Sequence, residues 1–185
     1  GRAYLRFGEP LSLRDAVALT ADEDGRLRPR LAVPKVAFEN AVRINAATPI
    51  TPGALITFAL LDNGDRSITV LEGRQILFPL VEYIQRRQLP MTEYPDLSEF
   101  GRMREVLDGL VAEGVVSVYS GGEEPVYSIS SGKQHEAAFY RNTIIHFFLI
   151  RAVAELAALE AAEDNAEDIP EATWQNARRL KELLR

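Results

Sequence analysis

The sequence predicts a mainly α fold with some β structure (α+β): a helical bundle containing a winged-helix-like unit of three helices plus a β-hairpin, preceded by one isolated strand. Three observations support this prediction. Apolar residues recur at spacings of three and four in several segments, which is the period of a helix. Two short β-branched runs flank Gly121-Gly122, which indicates a hairpin. Residues 2–7 alternate polar and apolar side chains, which is typical of a half-buried strand.

The first third of the chain predicts short helices separated by a linker. Ser12-Leu13-Arg14-Asp15 resembles a capping box that starts a short helix. Residues 21–33 are polar and form a linker. Pro34 should open a helix to about Ala47. Thr51-Pro52 pairs an N-cap with a proline at the first helical position, which predicts a second helix to Leu61. The first of these two helices should turn four apolar residues towards the core: Val33, Ala37, Ala41 and Ile44.

The middle of the chain completes the winged-helix-like unit, residues 52–130. Thr69-Val70-Leu71-Glu72 is a capping box for a helix that reaches about Gln88, with Pro79 expected to kink it. Asp96 or Ser98 caps the next helix, which Gly114 ends. Its core-facing residues are Leu97, Phe100, Met103, Leu107, Leu110 and Val111. Two runs, Val115–Tyr119 and Pro125–Ile129, then form the hairpin.

Charge argues against a nucleic-acid function for this unit. In a DNA-binding winged helix, the third helix lies in a groove. Here residues 96–113 carry five acidic and two basic side chains, and the hairpin turn adds Glu123 and Glu124. The whole chain has 21 basic and 27 acidic residues, a net charge of −6. Phosphate contacts require Lys or Arg, so we predict that the unit contacts protein and binds no nucleic acid.

Both histidines lie in the stretch Gln134–Val153, and four polar residues are concentrated there: Tyr140, Arg141, Asn142 and His146. Asn142 and His146 are four residues apart, so on one helix they would share a face. The cluster is either a catalytic or ligand-binding constellation, or polar scaffolding that fixes helix packing.

The spacing around the histidines favours scaffolding. The fifth residue after His135 is Tyr140, and the fifth after His146 is Arg151, so neither imidazole has an aspartate at that position. Two histidines so far apart, in a chain with no cysteine, lack the usual spacing of a zinc site. We therefore predict no catalytic residue, no metal and no cofactor. The four polar residues are assigned, as a hypothesis, to a structural contact between domains.

The C-terminal part predicts an acidic connector, residues 160–170, and a terminal helix, residues 171–185. Four basic residues on that helix form a patch: Arg178, Arg179, Lys181 and Arg185. Together with the apolar helix Thr143–Leu159, the patch suggests a membrane-surface anchor as one alternative. Ordinary core packing with a solvated face explains the same pattern. The longest uncharged apolar run is far too short to span a bilayer, which takes about 20 residues.

Five stretches carry a family resemblance: GRAYLRFGEPLSL, VPKVAFENAVRINAATPITPGALITFALL, GDRSIT, GVVSVYSGGEEPVYSI and AAFYRNTIIHFF. Together they resemble the bacterial, membrane-associated glycerol-3-phosphate 1-O-acyltransferases, in the region C-terminal to the catalytic blocks. The resemblance implies an enzyme that transfers a fatty acyl group from acyl-CoA or acyl carrier protein to glycerol 3-phosphate, the first step of phospholipid synthesis. It also implies peripheral association with the cytoplasmic face of the cell membrane.

The family's catalytic His-x-x-x-x-Asp motif and its two substrate-binding blocks do not occur in this sequence. We therefore expect this segment to be inactive alone and to support an upstream catalytic acyltransferase domain. On this interpretation, residues 1–20 are the last strand and a short helix of the α/β acyltransferase domain, and residues 34–159 are a C-terminal helical domain. The terminal helix would then be truncated at residue 185. The alternative is a winged-helix-like protein-interaction or regulatory module without enzymatic activity.

Overall fold

The computed structural model describes residues 5–18, 29–64, 66–92, 100–164 and 168–183. Within these residues the chain forms eight helices and one three-stranded antiparallel sheet, which confirms the predicted mainly α fold with an α+β component. The chain divides into two compact units, Gly1–Thr143 (unit 1) and Ile144–Arg185 (unit 2).

Unit 1 holds the sheet and most of the helices. Its elements are α1 (Leu13–Ala18), α2 (Pro29–Ala47), α3 (Pro52–Asp62), β1 (Ile68–Thr69), α4 (Val70–Arg86), α5 (Phe100–Ala112), β2 (Val116–Tyr119), β3 (Val126–Ile129) and α6 (Gln134–Asn142). Unit 2 consists of α7 (Ile145–Glu163) and α8 (Ile169–Leu183).

The helix α3 is the centre of unit 1. Thr51 accepts a hydrogen bond from the backbone N–H of Ala54 at 3.1 Å, and Pro52 occupies the first turn, as the sequence predicted. The helix packs against α4, α5, α6 and β3. Its apolar residues are buried on every side, because neighbours surround it. These residues are Ala54, Leu55, Ile56, Ala59 and Leu60.

The predicted hairpin is confirmed, and it gains a third strand that the sequence did not predict. The strands lie in the order β1-β3-β2, with Ile68 opposite Tyr127 and Val116 opposite Ile129. The side chains of Val116 in β2 and Tyr127 in β3 are buried. Gly114 adopts φ +75°, the left-handed conformation expected of the residue that ends α5. Three helices, α3, α4 and α5, precede this hairpin, which is the order of elements that the predicted winged-helix-like unit requires.

The capping box at the start of α4 is confirmed. The backbone N–H of Thr69 donates to Glu72 Oε2 at 2.8 Å, and the backbone N–H of Glu72 donates to Thr69 Oγ1 at 3.1 Å. The hydrogen bond from the Thr69 backbone lowers the pKa of Glu72, and a smaller contribution comes from the positive charge of Arg66.

A carboxyl group whose pKa is lowered by folding stabilises the folded state only while it is ionised. The contribution of Glu72 should therefore be complete above about pH 4.5, its ordinary value, and should be lost as the pH falls through the lowered value. We expect Glu72→Gln to flatten this part of the curve of unfolding free energy against pH, measured by urea denaturation. Glu82→Gln, on the same helix but outside its first turn, is the control. Unchanged acid dependence in Glu72→Gln would contradict the assignment.

The helix α2 differs from the prediction in its start and in its orientation. It begins at Pro29, so residues 29–33 are helical and Pro34 lies inside the helix. Both prolines suit the first helical position, which is why the sequence did not distinguish them. The residues predicted to face the core are exposed, Val33 by 74% and Ile44 by 57%. Since α2 packs mainly against α1 among the described elements, its apolar residues have little to pack against.

The predicted N-terminal strand is not formed in the part of it that the structure describes. Residues 1–4 lie outside the described residues, and Leu5–Phe7 belong to no strand. The capping interaction of α1 is present, because the backbone N–H of Asp15 donates to Ser12 Oγ at 3.3 Å. Residues 5–12 approach α2 through Arg43, which donates to the carbonyls of Glu9 at 3.2 Å and Pro10 at 3.4 Å.

Around α5 and at the C-terminal end, the predictions hold in part. Met103, Leu107 and Leu110 of α5 are buried as predicted, whereas the predicted caps Asp96 and Ser98 lie outside the described residues. The first residues of the predicted acidic connector are helical, because α7 continues to Glu163. The terminal helix begins at Ile169, slightly earlier than predicted, because the N–H of Glu171 is capped by Asp168 Oδ1 at 3.1 Å.

Unit 2 is a pair of helices in contact along their length. Ala157 and Ala161 of α7 are fully buried, and small side chains of this kind let two helices approach closely. Asn176 of α8 donates to the carbonyl of Ala157 at 3.4 Å. None of the helices in the described part of the chain is long and apolar enough to cross a membrane.

Candidate functional site

The predicted polar cluster is divided between two helices. Tyr140, Arg141 and Asn142 end α6 in unit 1, whereas His146 lies in the first turn of α7 in unit 2. The expectation that Asn142 and His146 share one helix face is therefore wrong. The break falls at Thr143 and Ile144, where the hydroxyl of Thr143 donates to the carbonyl of Tyr140 at 2.6 Å.

Tyr140 ties the end of α6 to the end of α5. Its hydroxyl donates to Glu113 Oε2 at 3.4 Å, and Glu113 directly follows α5. Burial raises the pKa of the Tyr140 hydroxyl, and the negative charge of Glu113 raises it further because a second anion beside it is unfavourable. The tyrosine is therefore held as a neutral donor, which suits a structural contact between two helices.

Arg141 and Asn142 contact each other. Nε and Nη2 of Arg141 donate to Oδ1 of Asn142 at 3.2 Å and 3.1 Å. Both nitrogens on one edge of the guanidinium thus bind the adjacent amide. We term this pair the Arg141–Asn142 fork. It leaves Nη1 of Arg141 and the amide nitrogen of Asn142 as donors for a further acceptor. Asn142 is exposed and Arg141 is half-buried, so the fork lies at the surface of unit 1.

The two histidines occupy different environments. His146 is half-buried, and its ring lies 4.0 Å from the ring of Phe147. His135 is exposed in the first turn of α6. In the part of the chain that the structure describes, no three His, Asp or Glu side chains come together in a group able to hold a metal ion. The geometry places the polar cluster at the end of α6 and the start of α7.

The predicted basic patch on α8 is partly engaged within unit 2. Arg179 forms an ion pair with Glu160 of α7. The guanidinium of Arg178 lies over the ring of Trp174, 5.2 Å from its centre, a cation–π contact. Lys181 is exposed, and Arg185 lies outside the described residues. One of the four predicted charges is thus compensated by an acidic neighbour.

A groove that the sequence did not identify lies between residues 5–11 and α2. Its volume is about 420 Å³, and its lining is mostly apolar with two arginines, Arg6 and Arg43. The Nε of Arg43 donates to Glu39 Oε1 at 2.8 Å, while Nη1 reaches the carbonyls of Glu9 and Pro10. The signal in the sequence was the alternation in residues 2–7, which indicated a segment that needs a partner.

Comparison with known proteins gives a consistent set of relatives. The family model described as the glycerol-3-phosphate acyltransferase C-terminal region matches residues 1–185. A protein of Mycobacterium tuberculosis (strain ATCC 25618 / H37Rv) that is named as an acyltransferase, plsB1, is 42% identical over 188 residues, which are 100% of this chain and 30% of the relative. The plsB1 protein of Mycobacterium bovis (strain ATCC BAA-935 / AF2122/97) has the same identity and coverage.

A more distant relative is the glycerol-3-phosphate acyltransferase of Shewanella amazonensis (strain ATCC BAA-1098 / SB2B). It is 25% identical over 182 residues, which are 92% of this chain and 22% of the relative. The chain therefore spans less than a third of the length of the curated relatives that it matches.

Proposed function

The chain belongs to the family of glycerol-3-phosphate acyltransferase C-terminal regions, and from this premise we propose that it is the non-catalytic part of an enzyme that acylates glycerol 3-phosphate. The fatty acyl group would come from acyl-CoA or acyl carrier protein and would be attached to the first hydroxyl of the substrate. The observation that carries the proposal is coverage: the whole chain aligns with plsB1, yet it accounts for only 30% of that relative.

The catalytic partner in this proposal is an upstream acyltransferase domain of the same polypeptide. General-base deprotonation of the substrate hydroxyl requires an imidazole that a carboxylate orients, and the family's His-x-x-x-x-Asp motif is absent from this sequence. The chain instead supplies a packed helical scaffold with polar groups at helix ends. It would stabilise and orient the domain that performs the chemistry.

The proposal predicts that the purified 185-residue chain has no acyltransferase activity. We expect no acylated product above background when it is incubated with glycerol 3-phosphate and radiolabelled acyl-CoA, because neither histidine has the carboxylate of a His-x-x-x-x-Asp motif to orient it. The full-length glycerol-3-phosphate acyltransferase of Shewanella amazonensis serves as the positive control in the same assay. A full-length enzyme from which this region is deleted should lose its activity. Turnover by the chain alone, or full activity without the region, would contradict the proposal.

Tyr140, Arg141, Asn142 and His146 are proposed to brace this region against the catalytic domain. The supporting geometry is that Tyr140 is already committed to Glu113, while the Arg141–Asn142 fork is presented at the surface with donors to spare. A carboxylate or backbone carbonyl of the catalytic domain would be a suitable acceptor for those donors.

In a full-length enzyme, the variants equivalent to Arg141→Ala and His146→Ala should lower thermal stability without changing the preference among acyl donors. Loss of a hydrogen bond to a charged group costs about 1.5–3 kcal/mol, which is a measurable shift in a thermal melt. The ratio of kcat/KM values for two acyl-CoA chain lengths measures the preference. Lys181→Ala, on the exposed side of α8, is the control. A fully stable Arg141→Ala or His146→Ala variant with lost activity would place that residue in the active site.

Peripheral association with the cytoplasmic face of the membrane completes the proposal. Two features of unit 2 support it. One is basic charge, from the exposed Lys181 and from Arg178, and the other is exposed apolar surface, from Trp174 and further apolar residues. Nucleic acid is not a proposed partner, because residues 96–113 and the hairpin turn carry an excess of acidic side chains.

A further inference from the structure

The helix α2 carries apolar residues on two sides, yet their side chains are poorly covered. At 100° per residue, Val33 and Ile44 lie on one side of the helix and Phe38 and Val42 on the other. All four are exposed, by 74%, 57%, 70% and 45% respectively. Among the α2 residues whose side chains the structure describes, only Ala32 is buried. Large apolar side chains exposed on both sides of one helix indicate a surface that a partner covers.

The exposed apolar surface extends from α2 onto the neighbouring segment. Leu5 and Phe7 line the groove together with Ile44, and their side chains are exposed by 82% and 84%. Arg43 anchors the residues that follow them to α2 through the carbonyls of Glu9 and Pro10. Six residues thus make up what we term the α2 surface: Leu5, Phe7, Val33, Phe38, Val42 and Ile44.

We infer that the α2 surface is the docking site for the acyltransferase domain of the same enzyme, and that this domain covers α2 on both sides. The inference rests on the proposed function and adds an apolar contact with the catalytic domain to the polar contact proposed at Tyr140, Arg141, Asn142 and His146. Relatives that contain the whole of this chain are more than three times as long, which provides a polypeptide large enough to enclose a helix of this length. Exposed apolar patches of this kind are typical of the core of an interface.

A membrane surface or a second copy of the chain could also cover the α2 surface. The distribution of apolar residues favours a protein domain over both. A helix that lies on a membrane has one apolar face and one strongly polar face, whereas the apolar residues of α2 lie on opposite sides. In a symmetric dimer, α2 would pair with its copy along one side, which would leave either Phe38 or Ile44 exposed. Only a partner that surrounds the helix buries both.

Hydroxyl-radical footprinting with mass spectrometry tests the inference without mutation. The oxidation rates of Phe7 and Phe38 are measured in the 185-residue chain and in a full-length enzyme that carries this region. We expect both rates to fall by at least about fivefold in the full-length enzyme, because an exposed ring that enters the core of an interface loses most of its solvent contact. Phe78 and Tyr119, which are exposed by 61% and 66% on α4 and β2, are the controls and should not change.

Three results would overturn the inference. Equal rates for Phe7 in the two proteins would show that the surface stays exposed. Protection that depends on enzyme concentration would assign the surface to a second copy, and protection that requires phosphatidylglycerol vesicles would assign it to the membrane. The activity of the deletion variant is measured separately, so the proposed function can survive the loss of this docking site.

A variant separates docking from a merely local change in structure. Phe38→Asp places a charge on the side of α2 opposite the groove, so it should restore rapid oxidation of Phe7 in the full-length enzyme if a single partner covers both. The matched control Phe78→Asp should leave Phe7 protected. Continued protection of Phe7 in Phe38→Asp, in a variant that remains folded by circular dichroism, would contradict a common partner.

Discussion

Leu55→Ala is expected to lower the free energy of unfolding of unit 1 by about 3 kcal/mol, because it removes a fully buried side chain and leaves a cavity. Leu55 is 0% exposed and lies at the end of the first turn of α3, the helix that packs against α4, α5, α6 and β3. A loss of this size is a large fraction of the net stability of a typical domain. Urea denaturation followed by far-ultraviolet circular dichroism measures it.

Leu71→Ala is the matched control for this variant. Leu71 lies in the first turn of α4 and is 47% exposed, so the same substitution there should cost less than about 1 kcal/mol. Similar losses for Leu55→Ala and Leu71→Ala would mean that α3 is not the centre of the core.

Gly73→Leu should destabilise unit 1 by about 2 kcal/mol, although leucine is the better helix former by about 0.8 kcal/mol. Gly73 is buried in α4, where a Cβ atom would overlap Cε of Met103 in α5 and would lie 3.4 Å from Cδ1 of Ile68. Met103 is 1% exposed, so its methyl group has no solvent to move into. The glycine therefore permits the close approach of α4 and α5, and urea denaturation should detect its loss.

For Gly109→Leu, in α5, we expect the opposite change in the free energy of unfolding. Gly109 is exposed in α5, and no atom lies within 4 Å of the position that its Cβ would occupy. Only the helix propensity changes there, so we expect a gain of about 0.8 kcal/mol. If Gly73→Leu also stabilised the protein, α4 and α5 could not pack at Gly73 as closely as the structure places them.

Local signals in the sequence predicted the elements that local chemistry fixes. The Thr51-Pro52 cap of α3, the Thr69–Glu72 capping box and Gly114 each satisfy backbone groups through nearby side chains or a left-handed glycine. The hairpin followed from two β-branched runs around a glycine pair. The added strand β1 has two residues, too few for a periodic pattern to reveal.

Tertiary context explains what the sequence did not predict. The periodic apolar residues of α2 predicted a buried face, but Val33 and Ile44 have no partner within the described residues that covers them. The polar cluster was assigned to one helix because Asn142 and His146 are correctly spaced. In the structure α6 ends at Asn142 and α7 begins at Ile145, and no proline or glycine marks this break in the sequence.

The division of the chain at Thr143 separates the aromatic chromophores. All six tyrosines precede that residue, and the single tryptophan, Trp174, follows it. Indole fluorescence therefore reports on the helix pair α7–α8, while second-derivative absorbance of the phenols reports on the segment with the sheet. If the two melting curves coincide, the two units unfold together in one cooperative transition. If their midpoints differ, the two units unfold independently.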